Sequence, residues 1–253
     1  MRVAFVGKGG AGKSSVAGTF ARLLAATGER VLALDSDPMP GLAFSLGVDQ
    51  RDAGLPDEAV EAYQDGDDRT RYGLPAGLTG TDVVERHAVR GPEGVWFLQL
   101  GKARGPRWSN TTQHFAYQRV LEDLPGEGWS LVGDLPGGTR QPFFTWGRFA
   151  DTYLVVAEPT PASLLTGRRL ARLASGSGAP RVLVVANKVR EEGDAERVAE
   201  RTGLPLLGAV PFDPAVFEAD RQGVAPLDHD PDGATASAVR SLVESLRAEV
   251  EVR

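Results

Sequence analysis

Residues 2–15 read Arg-Val-Ala-Phe-Val-Gly-Lys-Gly-Gly-Ala-Gly-Lys-Ser-Ser, and this stretch decides the fold. Its first part, residues 3–6, is short, apolar and β-prone, which predicts a buried parallel strand. Residues 7–14 then fit the pattern G-x-x-x-x-G-K-S/T of a phosphate-binding loop. Apolar residues at helical spacing follow and predict a helix with one buried face: Val16, Phe20, Leu23 and Leu24. Strand, glycine-rich loop and helix therefore occur in the order that phosphate binding requires.

The loop has the chemistry that a bound phosphate needs. Its glycines let the backbone approach closely, so that N–H groups and the positive end of the following helix point at phosphate oxygens. Lys13 is predicted to reach the β- and γ-phosphates, and the Ser14 hydroxyl to ligate Mg²⁺. The nucleotide-binding residues of the loop are then Gly9, Gly10, Ala11, Gly12, Lys13, Ser14 and Ser15. A glycine-rich turn that matches by chance is the alternative.

Length and composition indicate one α/β domain over residues 1–253. The chain has a mass of 26.9 kDa, with 42% hydrophobic and 25% charged residues, which are ordinary globular values. A net charge of −6 argues against a surface that coats nucleic acid, although a local basic patch stays compatible with it. Because the sequence has no signal-peptide pattern and no apolar run of about 18 residues, we expect a cytoplasmic protein.

Lysine is rare in this sequence. The chain has 28 Lys and Arg residues together, and only four of them are lysines: Lys8, Lys13, Lys102 and Lys188. Since arginine takes nearly every other cationic position, the remaining lysines are expected where a compact ammonium group is needed. Three of the four lie in nucleotide-binding motifs.

Two further predicted strands end in carboxylates. Residues 30–34 lead into Asp35-Ser36-Asp37-Pro38, and residues 129–132 lead into Gly133-Asp134. In an open parallel sheet such residues lie at the crevice where ligands bind. Asp134 is predicted to hold Mg²⁺ directly or through water, and the glycines after it suit a loop that moves when the γ-phosphate leaves. For the first stretch, capping of a helix over residues 39–47 is an alternative that is compatible with a catalytic role.

The other elements complete a recognisable fold class. Strands are predicted at residues 95–100, 151–157, 181–186 and 206–210, and helices at 111–124, 161–174 and 235–252. This order predicts an α/β protein with a doubly wound, mostly parallel β-sheet flanked by helices, the three-layer α/β/α arrangement of P-loop NTPases. A partly irregular insert at about 49–93 has expected helices at 56–64 and 81–87. It either meets a partner or is a plain surface loop.

Asn187 follows the strand at 181–186, in the run Asn187-Lys188-Val189-Arg190. An amide at this place can both donate to and accept from the edge of adenine. A guanine-binding site would use Asp where this chain has Arg190, because a carboxylate pairs with the guanine N1 and N2 hydrogens. The sequence therefore predicts ATP and ADP as the nucleotides.

The loop pattern K-G-G-x-G-K-S/T resembles the deviant phosphate loop (deviant Walker A motif) of the SIMIBI-class superfamily that includes MinD, ParA, ArsA and the nitrogenase iron protein. This resemblance implies that Lys8 crosses a dimer interface and contacts the partner's nucleotide; a solvated surface lysine is the alternative. It also implies that Asp37 positions or activates the attacking water. The implied metal-site residues are Ser14, Asp35, Asp37 and Asp134. Three residues are implied to pack on the adenine ring: Pro211, Phe212 and Asp213.

Within that superfamily the chain looks most like the CooC-like accessory ATPases of carbon monoxide dehydrogenase maturation. The similar stretches are residues 30–47, 154–160, 182–190 and 204–221. Those ATPases use a Cys-x-Cys pair for nickel, in a loop that corresponds to about residues 101–110. This sequence has no cysteine, and its three histidines are too widely spaced to suggest a metal site. The resemblance therefore implies the nucleotide site without the nickel site.

We expect a Mg²⁺-dependent, slow and partner-stimulated ATPase that forms a homodimer on ATP and regulates or matures an unidentified client protein. A ParA-like ATPase that binds DNA or positions cargo is the alternative, since a predicted helix carries Arg168, Arg169 and Arg172. A small-molecule phosphotransferase or ligase is a third interpretation. The last predicted helix has a mixed, slightly acidic polar face, so we expect no MinD-type membrane anchor.

Overall fold

The structure is a computed structural model that describes residues 1–36, 41–49, 55, 59–65, 69–99, 110–125, 128–139, 143 and 147–251. Two features singled out in the sequence, Asp37 and the loop at 101–109, lie outside these residues. The strands are β1 (Arg2–Gly7), β2 (Val31–Asp35), β3 (Glu61–Asp65), β4 (Arg69–Gly73), β5 (Val89–Arg90), β6 (Trp96–Gln99), β7 (Ser130–Asp134), β8 (Thr152–Ala157), β9 (Val182–Val189) and β10 (Leu206–Pro211). The helices are α1 (Lys13–Ala26), α2 (Leu42–Leu46), α3 (Gly80–His87), α4 (Asn110–Asp123), α5 (Pro161–Ser177), α6 (Asp194–Thr202), α7 (Pro214–Gln222), α8 (Pro226–His229) and α9 (Ala234–Glu251).

Eight strands form one sheet in the order β10-β9-β8-β1-β7-β2-β6-β5. Every described pairing in it is parallel except that of β5 with β6. Strand β1 lies between β7 and β8, and the chain winds outward from it to both sides. The predicted doubly wound, mostly parallel sheet is confirmed. In such a sheet the crevice for ligands lies where the winding direction reverses, outside the carboxyl ends of the strands.

Both faces of the sheet are covered, because alternate residues of each strand point to opposite sides. On one face Val3 and Phe5 of β1 pack in a cluster with α1 and α9, where the rings of Phe5 and Phe20 meet edge to face at 5.5 Å. On the other face Ala4 and Val6 pack with α5 and α6. A third cluster lies between β2, β6 and the helices α3 and α4. The phosphate loop therefore starts from a strand that is fixed on both sides.

Ion pairs of Arg22 also hold the second half of α1 in place. The guanidinium of Arg22 is buried and binds both carboxylate oxygens of Glu93 at 2.5 and 2.8 Å, and one oxygen of Asp228 at 2.7 Å. Hydrogen bonds and charge from these two partners raise the pKa of Arg22 above its ordinary value, although burial acts in the opposite direction. The pair of carboxylates connects α1 to the turn at Pro92–Gly94 and to α8.

The described part of the insert contains two paired strands as well as a helix. The predicted helix at 56–64 is wrong, because residues 61–65 form β3 and pair antiparallel with β4. The stabilising partner is a second strand, which a helical spacing within nine residues does not reveal. The predicted helix at 81–87 is confirmed as α3, which begins with a capping box between Thr79 and Asp82. Among the described helices, none is both long enough and apolar enough to cross a membrane.

Gly18 tests the packing of α1 against α2. A Cβ built on Gly18 would lie 2.5 Å from the Cβ of Ser45 and 2.8 Å from its carbonyl carbon. Alanine normally stabilises a helix interior relative to glycine, by about 0.5–1 kcal/mol. We expect Gly18→Ala to do the opposite and to lower the free energy of unfolding by about 1–3 kcal/mol, as overpacking does. Urea denaturation measures this change.

The matched control is Gly176→Ala in α5, where a Cβ would meet nothing within 4 Å. This variant should be neutral or should gain up to about 1 kcal/mol. Equal effects of the two substitutions would contradict the close packing at Gly18.

Candidate active site

The phosphate loop joins β1 to α1 through a left-handed turn. Gly10 and Gly12 have φ angles of 82° and 85°, and Gly12 is the N-cap of α1 without a side-chain cap. The first N–H groups of α1 are therefore not capped by a side chain and point out of the helix end. At the start of the loop, a Cβ on Gly7 would lie 2.4 Å from the carbonyl oxygen of Val156 in β8. Only glycine permits this approach of the loop to the sheet.

Lys13 lies under the loop that follows β7. Its side chain is 6% exposed, and a Cβ on Gly137 would lie 3.7 Å from the Lys13 ammonium and 3.1 Å from Cα of Gly9. The next residue, Gly138, donates its N–H to the carbonyl oxygen of Gly7 at 2.9 Å. The loop after β7 thus contacts the phosphate loop directly, so that a change at the phosphates reaches it without an intermediate residue.

Ser14 and two buried carboxylates lie together at one end of the site, where the sequence predicts the metal. The Ser14 hydroxyl donates to Oδ2 of Asp134 at 2.5 Å. Asp35 and Asp134 are register partners at the ends of β2 and β7. Oδ2 of Asp35 also accepts from the N–H of Leu42 at 3.1 Å, which positions the start of α2. Hydroxyl and carboxylate oxygens are the donors that Mg²⁺ prefers, with waters and phosphate oxygens completing its shell, so this arrangement fits Mg²⁺.

Asn187 lies at the opposite end of the loop from this carboxylate pair. Its side chain is buried, and its Nδ2 donates to the carbonyl oxygen of Ala11 at 2.7 Å. A Cβ on Gly12 would lie 2.4 Å from that Nδ2. The amide has two N–H hydrogens and an acceptor oxygen. The contact with Ala11 therefore uses only one of the groups that the sequence assigned to adenine.

The segment 211–213 borders the same end of the site. Pro211 and Phe212 line the cleft, and the Arg190 guanidinium lies 3.5 Å from the centre of the Phe212 ring. The Asp213 carboxylate accepts from the N–H groups of Ala215 at 2.9 Å and Thr235 at 3.1 Å. Although burial acts to raise it, these hydrogen bonds hold the pKa of Asp213 below its ordinary value. Asp213 thus caps α7 and ties it to α9, while it also lines the cleft.

The phosphate loop, the first turn of α1, Asn187 and the segment 211–213 border one cleft of about 400 Å³ at the carboxyl ends of the strands. It collects most of the predicted nucleotide-binding residues: Gly10, Gly12, Lys13, Ser14, Ser15, Asn187, Pro211, Phe212 and Asp213. Lys8 lies half-buried, and its ammonium donates to the Gly9 carbonyl oxygen at 3.1 Å. Asp37 lies outside the described residues. In the described part of the chain, no three His, Asp or Glu residues are grouped so as to hold a metal ion on their own.

Sequence reasoning gave no role to several residues of the cleft. Lys188 lines the cleft, and its ammonium donates to the Gly10 carbonyl oxygen at 2.9 Å. In the sequence, only the rarity of lysine pointed to a role for this residue. Phe44 and Phe217 also line the cleft and are 51% and 67% exposed. An isolated aromatic residue in an amphipathic helix normally indicates core packing, so the sequence offered no signal for these two.

Comparison with known proteins identifies the family. The model of the CobQ/CobB/MinD/ParA nucleotide binding domain matches residues 3–227. The chain belongs to this family. Its members of the MinD, ParA and CooC type are nucleotide-hydrolysing ATPases, and the protein is an enzyme of that class. The predicted deviant Walker A superfamily is thereby confirmed.

Relatives and solved structures of the family cover nearly the whole chain. The carbon monoxide dehydrogenase accessory protein CooC of Rhodospirillum rubrum is 30% identical over 247 residues, 91% of each chain. An iron-sulfur cluster carrier protein of Deinococcus radiodurans is 30% identical over 98% of this chain and 69% of its own length. The septum site-determining protein MinD of Pyrococcus horikoshii, in complex with Mg-ADP, superposes with a TM-score of 0.73 at 21% identity, covering 99% of this chain and 97% of MinD.

Gly12 tests the family's nucleotide site in this chain. Gly12→Ala would place a methyl group against Asn187 in a left-handed backbone. We expect the affinity for ADP to fall at least tenfold, about 1.4 kcal/mol, because the loop has to move away from Asn187. Titration of a fluorescent ADP measures the dissociation constant.

Gly28→Ala is the matched control, because Gly28 has a φ of 90° and a Cβ there would meet nothing within 4 Å. Both substitutions should cost about 1–2 kcal/mol of stability from backbone strain alone. Only Gly12→Ala should weaken ADP binding. A parallel loss in Gly28→Ala would assign the effect to general destabilisation instead.

Proposed function

We propose that the protein is a Mg²⁺-dependent molecular switch that binds and hydrolyses ATP, dimerises on ATP and acts on a partner protein. The observation that carries this proposal is the arrangement of Ser14, Lys13 and Asp134 at the first turn of α1. The hydroxyl–carboxylate contact at 2.5 Å lies next to the loop after β7, which is bonded through Gly138 to Gly7. The proposed site for metal and phosphate is thus joined directly to the glycine-containing loop after β7.

The chain's own residues divide the chemistry of hydrolysis between them. Loop N–H groups and the buried Lys13 ammonium hold the β- and γ-phosphates and stabilise the charge that develops on them. Ser14 and Asp134 would hold the metal, and Asp35 is the register partner of Asp134 in the neighbouring strand. Bound Mg²⁺ would supply positive charge that offsets the negative charge of the phosphates. We assign to Asp37 the positioning of the attacking water.

Adenine is the proposed base. The cleft ends at Asn187, Pro211 and Phe212, which offer an amide and flat apolar surfaces for a purine. Arg190, at the position where a guanine-binding site would use a carboxylate, stacks on Phe212 instead. Its guanidinium is a donor without acceptor oxygens, so it cannot accept the N1 and N2 hydrogens of guanine.

A second copy of the chain is the proposed cover of the cleft. Phe44, Phe217 and Val224 are exposed and line its rim together with Phe212. Exposed apolar residues that cluster at a site mark a surface that becomes covered. Lys8 lies half-buried in the same loop, and we propose that it reaches a nucleotide on a facing copy. In that role its charge acts as an arginine finger does in other NTPases.

The partner is proposed to keep any metal cargo itself. The relatives include an accessory protein of carbon monoxide dehydrogenase and an iron-sulfur cluster carrier protein. This chain has no cysteine, so it has no thiolate ligands for nickel or a cluster. We therefore propose that it regulates or matures its client through ATP-dependent changes of surface rather than by carrying the metal.

Solution mass tests the dimer. Light scattering should give a mass near 26.9 kDa with Mg-ADP and about twice that with Mg-ATP. Asp37→Ala should extend the lifetime of the dimer, because ATP is no longer hydrolysed. Lys8→Ala should bind ATP and stay a monomer, since it lacks the ammonium that spans the interface.

The control is Arg119→Ala, which alters an exposed ion pair with Glu122 on α4 and should dimerise as the unchanged protein does. A mass that does not respond to nucleotide would contradict ATP-driven dimerisation. Unchanged ATP turnover in Asp37→Ala would remove Asp37 from the mechanism.

DNA binding is the second candidate, and one observation favours it. Three arginines are exposed on α5: Arg168, Arg169 and Arg172. Among the described residues, no carboxylate oxygen lies within 4.0 Å of their guanidinium nitrogens. A salt-sensitive, ATP-dependent gel shift on non-specific DNA would support a ParA-like role. We expect no shift, because the net charge of −6 opposes association with the phosphate backbone.

A further inference from the structure

Lys188 contacts the phosphate loop from the side of the cleft formed by β9. Its ammonium donates to the carbonyl oxygen of Gly10 at 2.9 Å and lies 2.5 Å from Oε1 of Glu158. Glu158 directly follows β8, and its backbone N–H donates to the Ser163 hydroxyl at the start of α5. One lysine thus connects the ends of two strands to the loop that begins after a third. The roles proposed above for the nucleotide site do not use it.

The backbone of Lys188 is held in an unfavourable conformation. Its φ of 57° is left-handed, a region that β-carbon-bearing residues other than Asn and Asp rarely adopt. Glycine would avoid this strain, yet the position carries one of only four lysines in a chain with 28 basic residues. Strain of this kind is maintained where the surrounding structure needs the residue in that place.

Asn187 and Lys188 bind two consecutive carbonyl oxygens of the loop. The Asn187 amide holds that of Ala11 at 2.7 Å, and the Lys188 ammonium holds that of Gly10 at 2.9 Å. In a planar trans peptide the N–H points away from the C=O. Fixing these two oxygens therefore directs the N–H groups of Ala11 and Gly12 to the opposite side. The Ala11 N–H there makes a long contact of 3.2 Å with the Lys8 carbonyl oxygen.

Glu158 orients the ammonium for this contact. Its carboxylate is mostly buried, whereas the Lys188 side chain is about two-fifths exposed. An ammonium group has three N–H donors on a flexible stem, so it can bind Gly10 and Glu158 at the same time. The negative charge also offsets the lysine charge close to the phosphates, so that Lys188 acts on the loop more than on the nucleotide.

We propose that Lys188 is a positioning residue of the phosphate loop and that Glu158 acts through it. This inference rests on the proposed function, in which the loop binds ATP. Loss of the ammonium frees the Gly10 carbonyl, so the peptide groups of the loop become disordered before the nucleotide binds. The nucleotide then has to order them, which weakens its binding. The chemical step is unaffected once ATP is bound, because Lys13, Ser14 and Asp134 are in place.

The experiment compares Lys188→Met, Lys188→Gly, Glu158→Gln and the double variant Lys188→Met/Glu158→Gln. ATP hydrolysis gives KM and kcat, and titration of a fluorescent ADP gives Kd. Both lysine variants should raise Kd and KM about tenfold and leave kcat within about twofold. Lys188→Gly removes the ammonium while relieving the left-handed backbone, so poor folding cannot account for a shared effect. Glu158→Gln should have a smaller effect, because glutamine keeps an acceptor oxygen.

The double variant decides whether Glu158 acts through Lys188. Adding Glu158→Gln to Lys188→Met should then cause no further change, whereas additive effects would overturn that part of the proposal. The control Arg119→Met removes a cation from a surface pair at 3.0 Å on α4 and should match the unchanged protein. Unchanged KM and Kd in both lysine variants would overturn the role of Lys188. Failure of the unchanged protein to bind ADP or ATP would instead overturn the proposed function, and this inference with it.

Discussion

The structure depends on the parallel pairing of β1 with β7 on one side and β8 on the other. Because all three strands run in the same direction, the polar residues that follow them meet at one edge of the sheet. Gly7 lets the end of β1 approach β8 closely, because a Cβ at this position would collide with the Val156 carbonyl oxygen. The phosphate loop, the Asp134 carboxylate and Glu158 are thus neighbours in space, although they are far apart in the sequence.

The local part of the site follows from the sequence, and the part made by distant contacts does not. Strand β1, the loop and α1 are encoded within 26 residues, so glycine spacing and apolar periodicity suffice to predict them. The positions of Asp134 and Asn187 follow from the ends of predicted strands. In contrast, β3 is stabilised by its pairing with β4, and the prediction of a helix over residues 56–64 is therefore wrong. The bond from Thr235 to Asp213 joins residues 22 apart, and the left-handed backbone of Lys188 has no sequence signature.

The residue types in the cleft reflect a choice between two cations. Arginine occupies most basic positions of the chain, including Arg22, whose planar guanidinium binds two carboxylates at once. A guanidinium is too wide and too directional to sit within the turns of the phosphate loop, where Lys13 is almost completely buried. The Lys188 ammonium likewise binds the Gly10 carbonyl oxygen and the Glu158 carboxylate at the same time. The scarcity of lysine in this chain is therefore informative about where the nucleotide site lies.

The two ends of the cleft are built for different degrees of movement. At the proposed base end, side chains fix the surrounding backbone: Asn187 holds Ala11 of the loop, and Asp213 holds the start of α7. At the proposed metal end, the loop after β7 contacts the phosphate loop through backbone atoms of glycines, at Gly137 and Gly138. Gly137 and Gly138 have no side chain to bury, so a rearrangement limited to them breaks few apolar contacts, whereas Leu135 at the start of the loop is fully buried. The proposed switch needs this asymmetry, because the nucleotide has to stay bound at one end while its γ-phosphate is lost at the other.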